Sequence, residues 1–179
     1  MSEKLTEIFE ILESKGHQQY GGEAVTQLDH ALQCAMLAEQ AQATPELITA
    51  CLFHDLGHLI HHLGENISEQ GIDDRHEYRA LGILSSLFSP GVTEPIRLHV
   101  EAKRYLCAVE ADYYQNLSSE SKKSLQLQGG AFSSKEAPKF LDQPYARDAI
   151  QLRRWDEQAK VPNLSTPTLS HYRNFLKFS

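Results

Sequence analysis

Apolar residues in this chain recur at helical spacing almost throughout, and no stretch alternates apolar with polar residues between hairpin turns. Leu5, Phe9 and Leu12 mark a first helix ending near Lys15–Gly16, and Leu28, Leu32, Ala35 and Ala38 mark a second over roughly 26–42. Thr44–Pro45 supplies an N-cap hydroxyl followed by proline in the first turn, so a third helix is expected over about 45–56, ending at Gly57. The polar run GENISEQGIDD reads as a loop. A fourth helix is expected over 75–87, and a fifth over 94–107, capped by Thr93 with Pro95 in its first turn. Ser118 starts a sixth that stops at Gly129–Gly130, and the capping box Ser133-x-x-Glu136 introduces a short seventh. An eighth covers 145–160, and Thr166–Pro167 opens a terminal helix over about 167–177. The expectation is a single all-α domain over residues 1–179, with a bundle core at about 20–160.

The 179 residues carry a net charge of −7, which argues against nucleic-acid and anionic-membrane partners. It leaves room for a small anionic substrate held by a local group of cations. The N-terminus lacks a basic start followed by an apolar run, and no uninterrupted apolar run is long enough to span a membrane. Cys34, Cys51 and Cys107 are widely spaced among apolar neighbours, as expected for free thiols in a reducing cytoplasm.

Chemistry concentrates in CLFHDLGHLIHH, residues 51–62. His54 and His58 lie four apart, as in H-E-x-x-H zinc proteases, but Asp55 is a methylene shorter than the glutamate needed there and Gly57 weakens the helix. A two-metal arrangement fits better: Asp55 can offer one carboxylate oxygen to each ion, with His54 on one of them. His30, His76, His99 and Asp156, on separate helices, are candidates for the remaining positions, since facing helices of a bundle aim ligands into its core. Mixed imidazole and carboxylate donors favour iron, manganese or zinc. His58 reads as lying just outside the ligand set or facing substrate. His17, His61, His62 and His171 read as surface residues.

The set His30…His54-Asp55…Asp156 resembles the H…HD…D signature of the HD-domain superfamily. Most of its members are metal-dependent phosphohydrolases; a smaller branch, which includes myo-inositol oxygenase, uses two irons and oxygen. The segments YGGEAVTQLDH (20–30), RLHVEAKRYLC (97–107), LQLQGG (125–130) and LRRWDE (152–157) further resemble PhnZ-type enzymes. These are mixed-valent diiron oxygenases that cleave the carbon–phosphorus bond of 1-hydroxyphosphonates.

That resemblance implies two iron ions, Fe(II)/Fe(III), with O2 as co-substrate. His30, His54, Asp55 and Asp156 would hold one iron, with Asp55 bridging to a second completed by His76 and His99. Tyr20 would occupy an iron position until substrate displaces it, and Glu23 would recognise a substrate amine. His58, Lys103, Ser121 and Arg153 would surround the phosphonate and hydroxyl, where local cations and donors suit a doubly charged group. With 2-amino-1-hydroxyethylphosphonate the products would be phosphate and glycine. A trimethylammonium substrate would want aromatic walls, for which Tyr20, Tyr78 and Phe53 are candidates. The alternative is a phosphohydrolase in which the same ligands hold divalent ions and a bridging hydroxide attacks a phosphate ester.

Overall fold

A computed structural model describes residues 3–60 and 71–176. His61 and His62 lie outside the described residues, as do residues 64–70 of the expected loop and residue 177 at the end of the expected terminal helix. The described residues form helices joined by turns, with one isolated antiparallel bridge between Gln19 and Thr26.

Four long elements set the architecture: α1 (Glu3–Lys15), α2 (Gln27–Gln40), α5 (Pro90–Val109) and α9 (Ala146–Gln158). The shorter α3 (Pro45–Phe53) and α4 (His76–Leu84) fill the space between them. α5 runs along α9, α2 packs on α3, and α3 and α4 both pack on α5. One core is built from Leu5, Phe9 and Leu12 of α1 with Ala35, Cys51, Phe53, Ile96 and Leu152. A smaller cluster joins Leu98 and Ala102 of α5 to Phe140, Ala146 and Ala149.

The cap chemistry places α2 and α3. Thr26 accepts from the Asp29 backbone N–H while the Asp29 carboxylate accepts from the Thr26 N–H, and Thr44 accepts from Leu47. α3 ends at Phe53, earlier than expected, and a 3₁₀ turn (Leu56–His58) follows with His54 at the C-cap. This early stop frees last-turn carbonyls for side-chain donors. α5 begins at Pro90, not at residue 94, because Ser89–Pro90 is itself a start with proline at the first helical position; Pro95 therefore lies inside the helix.

A six-residue helix, α6 (Ala111–Asn116), was not expected; it is too short to show periodicity. It is followed by α7 (Ser119–Leu127), capped by Ser118, and α8 (Glu136–Leu141). Both hydrogen bonds of the Ser133–Glu136 box are present. The terminal helix, α10 (Leu169–Tyr172), is capped by Thr168 rather than Thr166 and gives way to a 3₁₀ turn at Arg173–Phe175.

Gly57 fixes how the 3₁₀ turn meets α4. A Cβ at this position would stand 2.0 Å from the His76 carbonyl oxygen and 2.7 Å from its Cα, a backbone clash no rotamer relieves. Gly57→Ala should therefore push α4 away from the turn carrying Asp55. The expected outcome is a melting temperature lower by several degrees, about 2–4 °C for each kcal/mol lost, and impaired metal retention; wild-type values for both would show the contact to be unimportant.

Candidate metal centre

Five elements deliver ionisable side chains to one buried point. α2 brings His30, the end of α3 brings His54 and Asp55, α4 opens with His76, α5 carries His99 at mid-length, and α9 carries Asp156. All six are buried.

Each histidine is oriented through Nδ1. The Nδ1–H groups of His30, His54 and His99 donate to the carbonyls of Ala159, Cys51 and Ile96 at 2.8, 2.8 and 2.7 Å, and that of His76 donates to Asp74 Oδ1 at 3.0 Å. A neutral imidazole bonded this way presents a bare lone pair at Nε2. Yet the Nε2 atoms of His30 and His54 stand 3.2 Å apart, and those of His76 and His99 stand 3.0 Å apart. Two acceptors cannot share that distance without something positive between them. A proton serves in the metal-free chain. A metal ion serves as well: nitrogens about 2.1 Å from one ion and at a right angle lie about 3 Å apart.

Asp55 stands between the pairs. Its Oδ2 lies 3.5 and 3.3 Å from Nε2 of His30 and His54, while Oδ1 lies 3.3 and 3.7 Å from Nε2 of His76 and His99. Oδ2 is buried without a hydrogen-bond partner, an arrangement a cation would satisfy. Asp156 adds Oδ1 at 3.4 Å from His30 Nε2. Donor atoms of His30, His54 and Asp156 form one compact group, and those of Asp55, His76 and His99 another. The residues thus fit two neighbouring ions sharing the Asp55 carboxylate.

The electrostatics agree. Burial opposes charge on His54, but Asp55, Cys34 and Asp156 together outweigh it and raise the imidazole to about 10; burial likewise opposes charge on His76, where Asp74, Asp55 and Glu77 together raise it to about 9. Burial, reinforced by charge on His76 and His54, pushes His99 below its ordinary value. Against the cost of their burial, Asp55 and Asp156 stay ionised through His54 and Arg153 respectively. The centre demands positive charge.

Tyr20 stacks flat on His30 with centroids 4.0 Å apart, and burial followed by the Asp55 and Asp156 charges raises its phenol well above the ordinary value. His58 stacks on His76 at 4.0 Å, and its Nδ1 bonds Asp74 at 2.6 Å. Asp74 therefore supports two imidazoles; against burial, those bonds hold its carboxyl well below the usual range. Arg75 beside it adopts a left-handed conformation, φ 50°, to turn the chain into α4.

A cavity of about 430 Å³ opens over the centre and is lined by Tyr20, Glu23, His58, Lys103, Ser121 and Arg153, among others. Lys103 donates to Ser124 Oγ at 2.8 Å, with no carboxylate in ion-pair range among the described residues; burial, then the Arg153 charge, lowers it to about 7. Arg153 Nη1 lies 2.8 Å from Asp156 Oδ2 and Nη2 2.7 Å from Glu157 Oε2. Ser121 Oγ is held by Glu157 at 2.8 Å, a tether that makes it part of the wall network. Phe53 is in the core and Tyr78 is exposed under Arg75; neither lines the cavity. His17 is exposed, and His171 is also at the surface, with its side chain 40% exposed and paired with Glu39 at 2.9 Å. Asp74, Glu157 and Lys160 were missed by sequence reasoning; the i, i+4 spacing of Arg153 and Glu157 was the available signal.

Taken from its geometry, the molecule is a helical domain with a histidine–carboxylate centre for a metal pair under a cavity sized for a small molecule. The HD domain profile matches residues 28–127. The chain is 44% identical to a hydroxymethylphosphonate dioxygenase of Gimesia maris, over 95% of its own length and 85% of that protein's. It is 36% identical to the [1-hydroxy-2-(trimethylamino)ethyl]phosphonate dioxygenase (glycine-betaine-forming) of Leisingera caerulea, over 90% and 83% of the two chains. An uncharacterized protein, L432, of Acanthamoeba polyphaga mimivirus is 33% identical over 94% and 78%. The chain belongs to the HD-domain superfamily and, within it, to the PhnZ-like dioxygenases.

The paired geometry predicts that the metal-stripped protein takes up about two ions per chain, and that His99→Ala takes up about one. Elemental analysis after removal of loose metal checks this; a wild-type ratio of one or below would contradict a dinuclear centre.

Proposed function

We propose that the chain is an iron-dependent dioxygenase that cleaves the carbon–phosphorus bond of a small 1-hydroxyphosphonate, releasing phosphate and a carboxylic acid. The observation that carries this reading is the adjacency of the Asp55-centred donor set to an anion-receiving wall of Lys103 and Arg153. The substrates named for the two dioxygenase relatives share a phosphonate and a hydroxyl on one carbon and differ in what else that carbon bears. One O2 balances the reaction, supplying one oxygen to carbon and one to phosphorus. The setting proposed is the reducing cytoplasm, in keeping with three free cysteines.

In this reading, His30, His54, Asp55 and Asp156 would hold one iron and Asp55, His76 and His99 the other, as a mixed-valent pair. Iron would supply dioxygen activation and removal of the C1 hydrogen. The chain does the rest. Lys103 and Arg153, both in the cavity lining, would receive the phosphonate oxygens and hold C1 near the centre. Tyr20, stacked on His30, would offer its hydroxyl as a further, exchangeable donor to the ions. His58, pinned by Asp74, stands 3.8 Å from Asp55 Oδ1 through Nε2 and is placed to bond the substrate hydroxyl. Glu23 lines the same cavity.

Iron-loaded protein should release phosphate from hydroxymethylphosphonate or 2-amino-1-hydroxyethylphosphonate only with oxygen present; equal release under strict anaerobiosis would indicate hydrolysis instead. Lys103 gives a second test. An ammonium lowered from 10.5 to about 7 binds its proton less readily folded than unfolded, so its burial cost is felt below about pH 10 and stability rises with pH between about 7 and 10. Lys103→Met should remove that slope and melt higher without ligand at pH 7.5, by about 2–4 °C for each kcal/mol relieved, while phosphonate affinity falls about tenfold or more. A destabilised variant with unchanged affinity would remove Lys103 from the anion site.

A further inference from the structure

The imidazoles of the centre are not all oriented in the same way. His54 and His99 donate through Nδ1 to Cys51 and Ile96, each three residues upstream, so the turn that carries the ligand also aims it. His76 is held by Asp74, two residues before it. His30 differs: its acceptor is the Ala159 carbonyl, 129 residues away in the chain, at the C-cap of α9. Nothing local to His30 sets the position of that carbonyl. On its upstream side Ala159 is held by α9 itself, its N–H donating to the Trp155 carbonyl at 2.8 Å. On its downstream side the hold comes from Gln33, which lies one turn along α2 from His30 and is 1% exposed. Gln33 Nε2 donates to the Val161 carbonyl at 2.8 Å, and its Oε1 accepts from the Val161 N–H at 3.0 Å. The amide thus grips both backbone groups of one residue, as a neighbouring strand would, two residues past the carbonyl that His30 uses.

We infer that Gln33 is a positioning residue for the metal ion of His30, His54 and Asp156: its amide clamps the chain leaving α9, so that the Ala159 carbonyl keeps the His30 imidazole aimed at the centre. This rests on the metal-pair part of the reading above and is independent of which substrate is turned over. α2 carries both the ligand and the clamp, while α9 carries Asp156 and ends in the carbonyl, so two hydrogen bonds tie together the two helices that serve this ion. His76 and His99, which face the other ion, are oriented from elsewhere, through Asp74 and Ile96. An imidazole whose Nδ1 acceptor drifts can rotate and exchange tautomers, and either change takes the Nε2 lone pair off the metal. Little of the fold depends on the clamp, because Val161 is 46% exposed and water takes over both bonds when the amide is lost. The role is therefore separable from stability.

The test uses the full chain stripped of metal, in wild type and Gln33→Met. Zinc is titrated in by calorimetry, and NMR of the isotope-labelled histidines, with and without zinc, reads how fast each imidazole Nδ1–H exchanges with water. Gln33→Met should weaken one of the two ions by about tenfold or more and leave the other as in wild type. The His30 Nδ1–H should exchange about tenfold faster or more, while those of His54 and His99, held by their own helices, keep their wild-type rates. Equal weakening of both ions, or faster exchange at all three histidines together, would mark a general loosening of the fold and overturns the inference, as does no change in either measurement. If wild type takes up a single ion, the dinuclear reading falls, while faster exchange at His30 alone still supports the clamp and unchanged exchange sinks it. Should Gln33→Met fail to fold, Gln33→Glu, which keeps the bond from the Val161 N–H and loses the one to its carbonyl, is read the same way.

Discussion

A single buried carboxylate organises this molecule. Asp55 is 7% exposed, at the junction of five helical elements, and each of its oxygens faces a different pair of imidazole nitrogens. An ionised carboxylate there is tolerable only with positive charge close by. The surrounding structure is arranged to keep that requirement open: by tying each Nδ1–H to a carbonyl or to Asp74, it directs every Nε2 lone pair at the same small volume. A core filled with apolar side chains would be more stable in isolation. This one gives up that stability to build a site completed by cations.

Much of the architecture was legible because it rests on local chemistry. Thr44 and Ser118 cap helices where the sequence places them, and the apolar periodicity of α1, α2 and α9 survives into the core. The errors lie at ends, where local signals compete. Thr93–Glu94–Pro95 and Ser89–Pro90 both read as starts, and the second won because Val92 and Ile96 are both buried core residues on the same helix. Gly57 reads as a helix stop, yet the helix stops four residues earlier, and the glycine is there because the His76 backbone passes against it. Only the tertiary structure contains that reason.

The six candidate ligands could be singled out by residue type and by lying on separate helices; which oxygen of Asp55 faces which pair could not. The supporting residues were harder still. Asp74 sits in a polar run without periodicity, and nothing in IDDRH announces that it bonds two imidazoles. Lys160 lies just past the end of α9 and reads as an ordinary terminal cation until Glu23, 137 positions earlier in the chain, is brought against it. Ser121, expected to face the phosphonate through the family resemblance, is tied to Glu157 and Lys160, a role no local pattern marks.

One segment couples the metal end of the cavity to its far end. Within eight residues the end of α9 supplies Arg153, Asp156, Glu157, the Ala159 carbonyl and Lys160. Arg153 and Asp156 are separated along the helix by about 4.5 Å of rise, so the cavity cation and the carboxylate of the donor set keep a set distance whatever the loops do. The Ala159 carbonyl orients His30 while the next residue closes the cavity beside Glu23. A shift of α9 therefore also moves the carbonyl that holds His30 towards the centre.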